Sequence, residues 1–242
     1  MLFRSAGGGK SQALLAAALQ YVDLPGYAAL LVRRTYADLA LPGALMDRAR
    51  LWLEGSAARW RQEEKTWRFP SGATLTFGYL DHPSHKHRYQ SSEFQFVGFD
   101  ELTQFGEAEY TYLFSRLRRL RDFPSPVRMR SASNPGGAGH DWVRRRFLID
   151  GPAHGRIFIP ATLDDNPHLD RDQYIAGLQE LDPLTRRRLL CGDWDATDDG
   201  LLSYDLLLEA TTDCLWPGGA VPQGARPELY LGVDVEIGRA HV

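Results

Sequence analysis

At 242 residues, with 43% hydrophobic and 24% charged side chains, the chain can bury one good core and part of a second. A net charge of −3 gives it no overall basic character of a nucleic-acid binder, and no apolar stretch is long enough to span a bilayer. With no signal-peptide pattern and only Cys191 and Cys214, lacking metal-ligand or disulfide spacing, a reducing cytoplasm is the expected location.

Near the start, Ala6-Gly7-Gly8-Gly9-Lys10-Ser11 is most of a phosphate-binding loop. Backbone N–H groups of Gly7, Gly8, Gly9 and the residues up to Gln12 cradle phosphates. Lys10 reaches the β/γ oxygens, and the Ser11 hydroxyl ligates Mg²⁺. The full pattern asks for a glycine with four positions between it and Gly9, and that slot holds Arg4. No strand is expected to lead into the loop. Residues 1–5 and 236–242 resemble the in-frame translation of a sequencing adapter and are expected to be foreign to the fold.

Residues 12–21 are alanine- and leucine-rich and read as a helix. Residues 28–32 form a short apolar run, a buried parallel strand that closes on Arg33-Arg34-Thr35. Residues 36–54 carry apolar side chains at helical spacing with a break at Pro42-Gly43. The period then changes: residues 60–69 and 73–79 alternate around Pro70-Ser71-Gly72, an antiparallel hairpin. His82, His85 and His87 follow in a polar loop without partnering cysteines or carboxylates, so a solvated loop is favoured over a metal site.

Residues 94–99 make a buried strand that ends in Asp100-Glu101. Residues 107–121 read as an amphipathic helix with an arginine face, and residues 127–133 alternate as the next strand. Later come a strand at 156–160, helices at 173–181 and 185–190, a loop-rich stretch at 192–227 and a strand at 229–235. Lysine occurs only at positions 10, 65 and 86, so the positive charge is nearly all arginine. It gathers at 116–121, 144–146 and 186–188, as solvated helix faces or as contact sites.

The loop and the carboxylate pair are each a modest signal, since a glycine-rich turn and a solvated strand end look alike. Together, in this order, they specify ATP hydrolysis. Asp100 can hold the metal through Ser11 and water, and Glu101 can polarise the attacking water. The Asp-Glu pair favours the RecA-like branch over GTPases. Ser133-Asn134 ends the strand at 127–133, in the crevice where α/β sheets bind ligands, and both side chains can hydrogen-bond phosphate or water. The alternative is a plain Ser-Asn-Pro-Gly-Gly turn.

A series of segments in order carries a resemblance across residues 6–235. They are Leu31-Val32-Arg33-Arg34-Thr35-Tyr36-Ala37-Asp38-Leu39, the stretch Tyr89 through Thr103, Ser131-Ala132-Ser133-Asn134-Pro135-Gly136-Gly137, Gly139-His140-Asp141-Trp142-Val143, Asp165-Asn166-Pro167 and Gly192-Asp193-Trp194. The chain resembles the large terminase subunit of tailed bacteriophages. It departs at Ser91, where glycine is expected, and at the first glycine and the neighbouring arginine of the loop.

The resemblance implies an α/β, RecA-like ATPase core over residues 6–155 with a mostly parallel sheet and an associated extension over 156–216. It then implies a linker at 217–228 and the first strand of an RNase H-like nuclease at 229–235. ATP and Mg²⁺ are the implied cofactors. Asp234 resembles the first aspartate of the nuclease's two-metal site, whose other acids this chain lacks, so no DNA cleavage is expected of it.

Ser133-Asn134 resembles the motif that senses the γ-phosphate and couples hydrolysis to DNA movement. Viral double-stranded DNA, the portal, the small terminase subunit and further copies in a ring are the implied partners, in the cytoplasm of the infected host and with no membrane. In a ring, Arg116 or Arg118 can complete a neighbour's catalytic site; a solvated face or a DNA contact is the alternative. A helicase or recombination ATPase would show a second RecA-like domain, and none is visible. A non-catalytic nucleotide-gated DNA binder would spoil the carboxylate pair, which is intact.

Overall fold

The apolar runs that end at Arg33 and Asp100 become the centre of a sheet, and the loops at the carboxyl ends of its strands carry the chemistry. The structure, a computed structural model, describes residues 2–4, 9–161, 163, 166 and 168–196. The chain divides into two compact units, residues 1–197 and 198–242, and every described residue lies in the first. Gly7, Gly8 and Asp234, the linker at 217–228 and the strand expected at 229–235 all lie outside the described residues.

In chain order the elements are β1 (Leu2–Arg4), α1 (Lys10–Leu19), β2 (Ala28–Arg33), α2 (Tyr36–Ala40), α3 (Leu45–Leu53), β3 (Arg59–Arg61), β4 (Thr66–Arg68) and β5 (Thr74–Tyr79). They continue as β6 (Phe96–Asp100), α4 (Glu107–Phe114), β7 (Arg128–Ser133), α5 (His140–Arg144), β8 (Ile159–Ala161), α6 (Arg171–Leu178) and α7 (Pro183–Cys191). The strands form one sheet in the order β3-β4-β5-β2-β6-β7-β1-β8. β3, β4 and β5 are joined antiparallel, and every other neighbouring pair is parallel.

Both faces of the parallel part are covered, which explains why its strands read as near-continuous apolar runs. Along β2, side chains alternate between the two faces. Ala29 and Leu31 join Leu14, Leu15, Leu39, Leu45 and Ala49 beneath the layer of α1, α2 and α3. Leu30 and Val32 join Val97, Phe99, Phe105, Tyr110, Leu113 and Trp142 beneath α4 and α5. Each fully buried aliphatic or phenyl group of this kind contributes about 1.5–3 kcal/mol.

Three expectations change. Leu2–Arg4, set aside as foreign, forms β1, hydrogen-bonded parallel to both β7 (Leu2 opposite Ala132) and β8 (Leu2 opposite Ile159). A strand does therefore lead into the phosphate-binding loop. The helix expected over 107–121 ends at Phe114. Beyond it the backbone is used by Phe94, whose N–H donates to Arg116 O at 2.9 Å and whose carbonyl accepts from Arg118 N at 3.0 Å. This pairing diverts the arginine-rich stretch from helix. Finally, β8 lies past the core boundary expected near Gly155 and belongs to the same sheet.

Two of the arginine clusters close the fold rather than face solvent alone. Arg144 Nε donates to Asp195 at 2.8 Å, Arg187 Nε to Asp193 at 2.6 Å, and Arg188 Nε to the Ala196 carbonyl at 2.8 Å. The segment they hold carries Trp194, which is buried and stacks on His140 with ring centroids 5.3 Å apart. His140 Nδ1 accepts from Gly136 N at 2.9 Å, and its Nε2 lies 3.1 Å from the Trp194 carbonyl, to which it can donate. Both roles are filled by the neutral ring. Burial, with Arg188 nearby, lowers the pKa of His140 below that of an ordinary histidine.

A histidine held neutral in the fold binds its proton more readily when unfolded, so its contribution to stability is present above a pH of about 6.5 and lost as pH falls below it. Thermal melts from pH 7 to pH 5 should show a loss of stability that is smaller in His140→Gln. Equal acid sensitivity in the two proteins would contradict this role.

Candidate active site

Three strand ends converge. β1 leads to the phosphate-binding loop, β6 ends at Asp100, and β7 ends at Ser133. Gly9 adopts a left-handed conformation (φ 71°) that suits glycine, and the chain then enters α1 at Lys10. Lys10 is buried and its Nζ donates to Asn134 Oδ1. Asn134 Nδ2 in turn lies 3.5 Å from Glu101 Oε1. The amide thus sits between the lysine of the loop and the acid of β6.

Asp100 is 2% exposed. Ser11 Oγ donates to its two carboxylate oxygens at 2.9 and 3.1 Å, and Arg33 Nε donates to Oδ2 at 3.0 Å. The second Arg33 nitrogen reaches to within 3.9 Å of Glu101. A hydroxyl and a carboxylate side by side are hard oxygen ligands of the kind Mg²⁺ takes alongside phosphate and water. Among the described residues there is no group of three His, Cys, Asp or Glu placed to hold a metal ion.

Glu101 is the next residue, at φ 53°, a strained conformation for a side chain other than glycine that clusters at functional sites. Burial, reinforced by the Asp100 charge, raises its pKa above that of an ordinary glutamate, while Lys10 and Arg33 pull the other way. A carboxylate with a raised pKa is a stronger base for water than an exposed one.

Ser133 does not face this cleft. It is fully buried, its Oγ accepts from Thr103 N at 3.1 Å and lies 3.0 Å from Thr103 Oγ1. Thr103 Oγ1 contacts the Asn134 carbonyl at 3.3 Å, and the Thr103 carbonyl accepts from Gly139 N at 2.7 Å. A Cβ on Gly139 would lie 2.6 Å from the Phe105 carbonyl oxygen, so only glycine allows this approach. Ser133 therefore positions two turns, the one after Glu101 and the one at Asn134.

A cleft of about 560 Å³ opens over these groups, lined by Gly9, Lys10, Ser11, Gln12, Glu101 and Asn134. Its other walls are Gly43 and Arg48 from the start of α3, and Asn166, His168 and Leu169 from the chain after β8. Arg33, Thr103 and Asn166 fall within the motif segments, which is the only sequence clue to them. Arg48 and His168 carry no motif signal at all.

Arg116 and Arg118 are not brought to this cleft. Leu117, between them, bridges to Phe94, which precedes β6 and stands six residues before Asp100; at about 3.3 Å per extended residue this separates them from Asp100 by roughly 20 Å. Arg116 donates to the Gln90 carbonyl and lies over the Tyr112 ring, and Arg118 lies 3.4 Å from Glu93.

The family profile described as terminase large subunit, T4likevirus-type, N-terminal, matches residues 1–208. The chain belongs to the large-terminase family. The matched span takes in β1. The large terminase of a thermophilic bacteriophage is similar to it, with 15% identity and a TM-score of 0.67, over 80% of this chain and 47% of that one. The same phage protein in complex with ADP gives 14% identity and a TM-score of 0.64, over 80% and 48% of the two chains. The Thermus phage P74-26 large terminase ATPase domain gives 13% identity and a TM-score of 0.53, over 80% and 87%. At these identities the likeness is one of fold: an α/β fold with a mostly parallel central sheet, shared with these phage terminase structures. This terminase chain spans about half the length of the thermophilic phage's protein, and no curated protein matches it.

Ser133→Ala would leave the buried Thr103 N–H without its partner and remove one of the two hydrogen bonds of the Thr103 hydroxyl, at a cost of about 1–3 kcal/mol. Thermal unfolding should show a fall in Tm of roughly 2–4 °C for each kcal/mol lost. An unchanged Tm would contradict the positioning role.

Proposed function

We propose that this chain is the ATP-hydrolysing motor part of a terminase large subunit, which drives double-stranded viral DNA into procapsids. The observation that carries the reading is the convergence of Lys10, Ser11, Glu101 and Asn134 on one cleft at the ends of three strands, with Asp100 hydrogen-bonded to Ser11 beneath it. Gly9 and the N-terminus of α1 present backbone N–H groups to phosphate. Lys10 exchanges Asn134 for β/γ-phosphate oxygens. Ser11 and Asp100 would hold Mg²⁺, which when bound draws charge off those oxygens.

Glu101 orients and deprotonates the attacking water, and Arg33 keeps the neighbouring Asp100 charge compensated. Asn134, touching both Lys10 and Glu101, reports whether the γ-phosphate is present. Gly7, Gly8 and Gln12 complete the phosphate cradle. DNA, the portal, the small subunit and ring neighbours are the proposed partners, in the host cytoplasm. The cutting of concatemeric DNA, with Asp234 as one metal ligand, is proposed for longer members of the family.

Lys10→Ala should abolish tight ATP binding. Glu101→Gln should retain binding and lose most turnover, because the cradle survives and only water activation is removed. Equal loss of binding in both variants would argue against these roles. The kcat/KM profile of the parent should show an acid limb above the ordinary glutamate range, since Glu101 must be ionised to act and its pKa is raised. An acid limb at an ordinary carboxylate pKa would contradict Glu101 as the base.

A neighbour's arginine can add about 10³–10⁵ to such a rate. With Arg116 and Arg118 outside their own cleft, either can act only in trans. Mixing Arg116→Ala chains with Glu101→Gln chains should then restore some ATPase activity. No recovery with either arginine variant would remove both from catalysis.

A further inference from the structure

The nucleotide cleft is lined by a second cation, besides Lys10, that no motif predicts. Arg48 stands in the first turn of α3, and α3 packs on α1, with Leu14, Leu15, Leu45 and Ala49 in one buried cluster. Its Nε donates to the Gly43 carbonyl at 3.2 Å. The Gly43 N–H is held by Asp47 Oδ2 at 2.8 Å, so the turn before α3 is clamped from both sides. Among the described residues Arg48 makes no ion pair, and it lines the same cleft as Lys10, Glu101 and Asn134. The turn holds the guanidinium through Nε, and among the described residues its two terminal nitrogens make no hydrogen bond.

Sheet order indicates which end of the ligand this is. The strands run β2-β6-β7-β1-β8 across the sheet. From the loop after β1, Asn134 and Glu101 lie toward β7 and β6, and α3 follows β2 beyond them. Asn166, His168 and Leu169 lie the other way, after β8. A triphosphate seated on Gly9–Ser11 with its terminal phosphate at Glu101 and Asn134 thus points that phosphate toward Arg48 and its nucleoside toward His168.

We propose that Arg48 binds the γ-phosphate within its own subunit, as a forked donor to an oxygen that ADP lacks. The inference rests on the ATPase reading above and adds to it a residue that distinguishes ATP from ADP.

The test measures Kd for Mg²⁺-ATPγS and Mg²⁺-ADP by calorimetry in the parent chain, Arg48→Ala and Arg48→Lys, with Tm recorded for each. A hydrogen bond to a charged group is strong enough that its loss should weaken ATPγS binding roughly 10- to 100-fold in Arg48→Ala. ADP binding should change less than about threefold, and Arg48→Lys should recover part of the ATPγS affinity by keeping the charge without the fork. Equal weakening for both nucleotides, or no change for either, would overturn the inference while leaving the ATPase reading intact. A parent chain that binds neither nucleotide would overturn the ATPase reading itself, and this inference with it. A general packing role for Arg48 would lower Tm and both affinities together, and would also overturn it.

Discussion

A buried carboxylate is tolerable only when its charge is paired and its oxygens are hydrogen-bonded, and this requirement at Asp100 organises the molecule. Asp100 ends β6, and the groups that satisfy it come from elsewhere: the Ser11 hydroxyl from α1 and the Arg33 guanidinium from β2. The acid therefore ties the phosphate-binding helix and two parallel strands at one point. Glu101, one residue on, inherits its setting from this knot. Its backbone strain, its partial burial and its distance from Arg33 all follow from where Asp100 is held.

A second network joins the acid to Asn134. The turn after Glu101 reaches Thr103, which bonds Ser133 and the Asn134 carbonyl, and Gly139 closes against the same turn. From Gly136 the path continues through His140 to Trp194, whose segment is fixed by Arg144, Arg187 and Arg188. The chemistry and the helices at 171–191 thus share one chain of packed and hydrogen-bonded groups. Under the proposed function, a shift of Asn134 on loss of the γ-phosphate would have this physical route outward.

Much of this was legible in the sequence because it rests on local pattern. Apolar runs gave β2 and β6, and the break at Pro42-Gly43 falls between α2 and α3; alternation gave the hairpin of β4 and β5, although the arm expected over 60–69 is broken by a turn into the antiparallel pair β3 and β4. Lys10, Ser11, Asp100, Glu101 and Asn134 were identified by type and order, and they meet. The rest depended on contacts distant in sequence. The arginine-rich stretch after Phe114 has good helical propensity, and only its pairing with Phe94 ends the helix. Ser133 and Asn134 are adjacent at a strand end, so they point opposite ways; the motif could not say which one enters the cleft. Leu2–Arg4 carries too little pattern to mark a strand, yet the gap between β7 and β8 gives it two partners. Arg48 is an ordinary helix residue until α3 is laid beside α1.

The central claim is that Lys10, Glu101 and Asn134 form one γ-phosphate site. A crystal structure of the Glu101→Gln chain with Mg²⁺ and ATP tests it most directly. The account predicts the γ-phosphate within hydrogen-bond distance of Lys10 Nζ and of the Asn134 amide, with the Lys10–Asn134 bond opened to admit it. A bound nucleotide whose phosphates leave the Lys10–Asn134 bond closed, or which sits outside the cleft between α3 and His168, would contradict it.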